Sequence, residues 1–137
     1  MAAFTIISEI NSTQSSLKSL FEFLSDFKNF QSILPEDKVE NFKFTETECS
    51  FNIKGITPMT IKKIEAIPFE FILFSSEGLA KFNFSLKAFF IGEPAQKGQC
   101  KIELMGDLNP FIKAMAEKSL INLTNTMSLK LSHLNLD

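Results

Sequence analysis

The sequence predicts an α+β fold. A seven-stranded, curved antiparallel sheet closes around one long C-terminal helix, in the order β-α-α-β-β-β-β-β-β-α. Three observations carry this reading. Ile112, Met115, Ala116, Leu120, Leu123, Met127, Leu131 and Leu134 recur at steps of three and four residues, which places them on one side of a helix. From Val39 to about Asp107 the apolar period falls from helical to two, the period of a strand. Short turn signals separate the alternating runs, so successive strands must be antiparallel, and their apolar face needs a cover. Only the C-terminal helix is long enough to supply it.

The elements follow in order. Phe4, Ile6, Ser8 and Ile10 alternate with Thr5, Ile7, Glu9 and Asn11 in a first strand. Asn11-Ser12-Thr13 ends that strand and offers helix caps. Leu17, Leu20, Phe21 and Leu24 have helical spacing, and Phe27, Phe30, Ile33 and Leu34 continue it after a break or recapping at Asp26. Pro35 stops the helical region, because it lacks the N–H and restricts the residue before it.

Six strands are then expected. Phe42 and Phe44 lie in one, and Cys49, Phe51 and Ile53 in the next, after a tight connection at Glu46–Glu48. Gly55 ends that strand, and Thr57-Pro58 reads as a turn. Met59 and Ile61 open a strand whose phase slips near 62–64, as a bulge would cause. Ile67-Pro68 is a break. Phe69 to Phe74 is apolar on both faces, with Ile72 and Phe74 read as inward. Glu77-Gly78 is a turn, and Phe82, Phe84, Leu86, Ala88 and Phe90 point inward from the following strand. A loop at 92–98 leads to Cys100, Ile102, Leu104 and Gly106 on the last strand. Asn109 caps the C-terminal helix, and Pro110 fits its first position.

Composition narrows the function. Of 137 residues, 45% are hydrophobic and 22% charged, which is ordinary for one globular domain. The formal charge of −2 gives no reason to expect nucleic acid as a partner. No run is long and apolar enough for stable membrane insertion, and no signal peptide is visible, so the expected location is cytoplasmic. There are 16 Phe but no Tyr or Trp, so the aromatic interior has no polar handles and points toward an apolar core or pocket. Cys49 and Cys100 lack metal-ligand spacing and read as reduced packing residues.

No hydrolase, metalloprotease, phosphate-loop or dinucleotide motif is present. His133, the only histidine, suits the last turn of a helix, where it faces free carbonyls and the negative end of the dipole. Neither a catalytic residue, nor a metal site, nor a cofactor is expected.

The order of elements resembles the START-like (SRPBCC, helix-grip) superfamily, which includes pollen allergens, START domains and polyketide cyclases. The likeness spans residues 1–137 as one domain. Ile33-Leu34-Pro35-Glu36, the run 48–55 (ECSFNIKG) and the run 107–113 (DLNPFIK) resemble more closely a group of small bacterial SRPBCC-family proteins. The resemblance implies a cavity between sheet and helix that takes an apolar small molecule: a lipid, sterol, polyketide or isoprenoid.

Its expected lining is Phe30, Phe51, Ile53, Met59, Ile61, Ile72, Phe74, Phe82, Phe84, Leu86, Met115, Leu123 and Met127. Met is suited to a pliable wall, while the Phe rings either line a pocket or form plain core. Two alternatives stand beside binding. A cyclase or dehydratase would need polar groups inside the cavity. A protein–protein module, such as a homodimer rather than a monomer, would use outward Phe69, Phe71, Leu73 and Phe89.

Overall fold

A computed structural model gives the fold for residues 2–54, 57–76, 83–108 and 110–137. The elements are β1 (Ala2–Ile7), β2 (Asn11–Ser16), α1 (Leu17–Leu24), a 3-10 helix (Phe27–Ile33), β3 (Val39–Phe44), β4 (Glu48–Ile53), β5 (Thr57–Ile67), β6 (Phe71–Ser76), β7 (Asn83–Ile91), β8 (Lys97–Leu108) and α2 (Pro110–His133). The strands form one antiparallel, curved sheet in the order β1-β8-β7-β6-β5-β4-β3, and β2 extends the β1 edge along β8. The expected seven-strand path is present, with its first strand broken in two. The Asn109 cap, the turn at Glu77-Gly78, the strand end at Gly55 and the inward Phe82 fall outside the described residues.

The break in the first strand corrects the sequence reading. Asn11-Ser12-Thr13 neither ends the strand region nor caps the helix; it belongs to β2. Ser8 still pairs with β8, because its N–H donates to the Ile102 carbonyl (2.8 Å) while its Oγ accepts from the Ile102 N–H (2.8 Å). A side-chain oxygen thus stands in for a backbone carbonyl, and the chain turns there. Ile10, read as inward, is exposed as a result. Ser16 caps α1 instead, its side chain accepting from the Ser19 N–H. The N–H groups of Leu17 and Lys18 donate to the carbonyls of Gln96 (3.0 Å) and Pro94 (2.9 Å) in the β7–β8 loop. The first turn of α1 therefore finds partners outside itself.

Asp26 recaps the chain, accepting from the Lys28 N–H, and starts the 3-10 helix. That short helix drives Phe27 and Phe30 into the hollow of the sheet. Phe30 meets Phe74 edge-on at 5.4 Å between centroids, and Phe27 lies 5.8 Å from Phe74. Such packing is favoured by the ring quadrupoles. All three rings are buried in the core.

Further along, the Thr45 side chain closes the β3–β4 turn by accepting from the N–H groups of Thr47 and Glu48 (3.2 Å each). Asn41, at φ 59, sits where the β3–β4 register shifts, and beyond it Phe44 turns out to solvent. Thr57 and Pro58, read as a turn, instead pair with Ile53 and Asn52 at the start of β5. The expected slip in β5 is a register shift between Lys63 and Glu65, which leaves Ile64 exposed. Ile72, Phe74, Phe84, Leu86, Ala88 and Phe90 are buried, as the alternation required.

α2 rests on β8, β2, β1 and the 3-10 helix. Its 24 residues span about 36 Å at 1.5 Å per residue. Ala116, Leu120, Leu123, Met127 and Leu131 are buried, but so are Thr124, Ser128 and Ser132. Met115, placed in the buried stripe by the sequence, is 58% exposed, and Phe111 one turn earlier is 74% exposed. In the same turns Ile112 packs against the core and Ala116 is fully buried, so Phe111 and Met115 lie on the solvent side of the helix.

Candidate functional site

A pocket lies between sheet and helix, to one side of the concave face. It measures about 280 Å³ and opens where the end of the 3-10 helix, the start of β3, the end of β4 and the middle of α2 meet. Pro35, Val39, Ile53 and Leu123 supply its apolar surface, and Ser119 and Asn122 its neutral polar surface. Lys38, Lys54 and Lys118 complete it. Local causes place each group. Pro35 ends the helical region and turns the chain toward β3. The Lys54 N–H donates to the Lys38 carbonyl (3.0 Å), holding the two backbones side by side. Lys118, Ser119, Asn122 and Leu123 are neighbours on α2 because three- and four-residue steps share a face.

Of the expected lining, the structure brings Ile53 and Leu123 to this pocket. Phe30, Phe51, Met59, Ile61, Ile72, Phe74, Phe84, Leu86 and Met127 are buried in the continuous core instead. The Phe27–Phe30–Phe74 cluster is part of that core, its rings packed on one another 5.4–6.1 Å apart between centroids. Phe82 lies outside the described residues. Missing from the sequence reading were Pro35, Lys38, Val39, Lys54, Lys118, Ser119 and Asn122. A signal for Lys38 and Lys54 was available only through the β3–β4 hairpin register, which pairs Val39 with Ile53.

A shallower depression of about 430 Å³ lies at another part of the sheet, between Phe4, Ser76, Phe84 and Gly106. A groove of about 380 Å³, lined by Glu36, Asp37, Thr126 and Lys130 among others, adjoins the first pocket through Pro35, Lys38 and Asn122.

The buried polar groups serve the fold. Asn11 Nδ2 donates to Ser128 Oγ (2.9 Å), which donates to the Glu9 carbonyl (3.2 Å). Asn125 Oδ1 accepts from the Glu9 N–H (3.1 Å), and Ser15 Oγ donates to the Leu134 carbonyl (2.6 Å). Thr124 and Ser132 donate back to carbonyls of α2 itself. Every buried side-chain N or O atom among the described residues has a partner. Burial pushes the thiol of Cys49 up to about 12, helped by the neighbouring Glu48 carboxylate, and that of Cys100 up to about 11. Both cysteines are free and buried.

His133 is exposed in the last turn of α2. Among the described residues, no group of three His, Cys, Asp or Glu side chains is arranged to hold a metal ion. No helix among them is long and apolar enough to cross a membrane.

The outward aromatic cluster has a cover of its own. Lys87 Nζ lies 4.1 Å from the centroid of the Phe71 ring and 4.7 Å from that of Phe89, and Lys101 Nζ lies 4.8 Å from the latter. Phe69 stacks edge-on against Phe21 at 5.5 Å. Phe69, Phe71, Leu73 and Phe89 are therefore half-buried, and do not form the open apolar patch expected of them.

This architecture is the START-like, helix-grip fold. A START superfamily protein from Mycobacterium smegmatis superposes with a TM-score of 0.65 over 95% of this chain and 94% of its own, at 9% identity. A norcoclaurine synthase from Thalictrum flavum, solved with dopamine and hydroxybenzaldehyde, superposes with a TM-score of 0.69 over 96% of this chain and 85% of its own, at 9% identity. The protein XoxI from Bacillus cereus gives 0.60 over 96% and 94%, at 14% identity. At these identities the likeness is one of fold. No protein-family model matches the sequence, and no curated protein matches it.

Proposed function

We propose that the protein binds an apolar small molecule, as a carrier or sensor, in the pocket beside the middle of α2. The observation that supports this is the pocket itself: Val39, Ile53, Leu123 and Pro35 form an apolar surface between sheet and helix, with polar groups around it. Ligand sites are concave and mostly apolar, with a few placed polar groups. Its volume of about 280 Å³ is near the lower end of the ~300–1,000 Å³ usual for such sites. A short or slender molecule, such as an acyl or isoprenoid chain, suits it better than a bulky one. The norcoclaurine synthase likeness raises an enzymatic reading, but the buried hydroxyls here are engaged with the protein's own backbone and with Asn11.

Thermal unfolding with a panel of fatty acids, isoprenoids, quinones and sterols tests the proposal. A bound ligand at 100 times its Kd should add ~2.7 kcal/mol and raise Tm. Val39→Trp, which fills the pocket from its half-buried sheet side, should abolish that shift while leaving the circular dichroism of the free protein unchanged. No shift with any member of the panel would count against binding. A shift that survives in the Trp variant would move the ligand elsewhere.

A further inference from the structure

We propose that the ligand is an anionic amphiphile, a medium-chain carboxylate. Its tail lies on Val39, Ile53 and Leu123, and its head lies among the ammonium groups of Lys38, Lys54 and Lys118. The inference rests on the binding function proposed above and narrows its ligand class.

Charge is the first argument. The chain carries a formal charge of −2, yet the pocket is lined by three lysines and no carboxylate. A concave site with low-dielectric walls and one sign of charge concentrates ligands of the opposite sign. The second is availability. The ion pairs among the described residues are Lys28–Asp26, Lys101–Glu103 and Lys113–Glu117, so none of the three pocket lysines is in one. Lys130, farther along α2, is engaged differently, its Nζ donating to the Leu34 carbonyl at 2.8 Å.

Convergence is the third. The lysines come from the turn before β3, the end of β4 and α2, so they approach from both the sheet side and the helix side. The acids nearest in sequence are not part of the pocket lining: Glu36 and Asp37 line the adjoining outer groove, which shares Lys38 with the pocket, and Glu117 lies 3.8 Å from Lys113. Lysine chemistry is the fourth. Its aliphatic stem can lie on an apolar chain while its ammonium reaches a polar head, which matches an amphiphile along its length.

The test is equilibrium binding of decanoate, 1-decanol and decyltrimethylammonium to the full chain and to a triple variant, Lys38→Met with Lys54→Met and Lys118→Met. In the wild type, decanoate should bind roughly tenfold tighter than decanol at low salt, with the cation weakest. The preference should shrink in about 0.5 M salt, where charges are screened within a few ångströms. In the triple variant the preference should vanish, decanoate binding no tighter than decanol. Its far-UV circular dichroism and sharp thermal melt report that it is folded. Decanol or the cation binding the wild type as tightly as decanoate would overturn this inference and leave the binding function standing. A preference for decanoate that survives in the triple variant would also overturn it. Failure of all three probes would overturn this inference too, while the binding function would still be decided by the panel of isoprenoids, quinones and sterols.

Discussion

At Ser128 a hydroxyl occupies a position where helical periodicity asks for an aliphatic side chain. It is buried because the first strand turns at Ser8, and the turned backbone at Glu9 needs partners that β8 does not supply. Ser128→Ala removes a donor to the Glu9 carbonyl and an acceptor for Asn11, and should cost about 1–2 kcal/mol in urea denaturation. Gly98 is constrained by space. A Cβ there would collide with the Ile91 carbonyl oxygen and press on Leu17 Cδ1 at 3.0 Å. Gly98→Ala should therefore destabilise the β7–β8 hairpin by about 1–3 kcal/mol, as overpacking does, with the loss visible in the same assay.

The thiols give a third residue-scale prediction. A thiolate is the reactive form, and both pKa values lie far above neutrality. A disulfide reagent at pH 8 should modify Cys49 and Cys100 slowly in the native protein and at once in denaturant. Because the folded pKa values are raised from 9.0, the stability they contribute is complete below that pH. It is lost as pH climbs through 11 and 12.

Among the elements, those with an apolar period were legible in the sequence. β7 alternates with apolar residues at each inward position from Phe84 to Phe90, and each is buried. β2 was not legible, because its buried positions are Thr13 and Ser15. Hydrogen bonds hold them: Thr13 Oγ1 accepts from the Gly98 N–H at 2.9 Å, and Ser15 binds the end of the chain through the Leu134 carbonyl and the Leu136 N–H. Hydropathy does not register that kind of burial. α2 was legible in position but blurred in orientation, since three hydroxyl residues face inward while Ile121 and Leu129 face solvent. Removing it by ending the chain at Leu108 would uncover the faces of β8, β2, β1 and the 3-10 helix on which it rests. The truncated chain should show a broad, non-cooperative melt by circular dichroism, in place of a sharp one.

On the scale of the whole molecule, one core cluster runs from Phe4 to Leu131. Urea should therefore unfold the chain in a single transition, with an m-value of about 1–3 kcal/mol/M. With no tryptophan or tyrosine, far-UV circular dichroism and hydrogen exchange are the suitable pair of probes, and their midpoints should coincide. The overall architecture could be read from the sequence because it follows from periodicity and turn spacing. The pocket could not, because it depends on which side chains meet across distant elements. Lys38, Lys54 and Lys118 are each unremarkable surface lysines in one dimension.

The hydroxyl and amide bonds that fix α2 involve Asn125, Ser128 and the Leu134 carbonyl, all C-terminal to the residues that border the pocket. Mechanically, the helix is pinned at its rear by polar bonds, while nearer its front Ile112, Ala116 and Leu120 hold it to the core by apolar contact. Apolar contact is non-directional, so the forward half can slide a little where the rear half cannot without breaking a hydrogen bond.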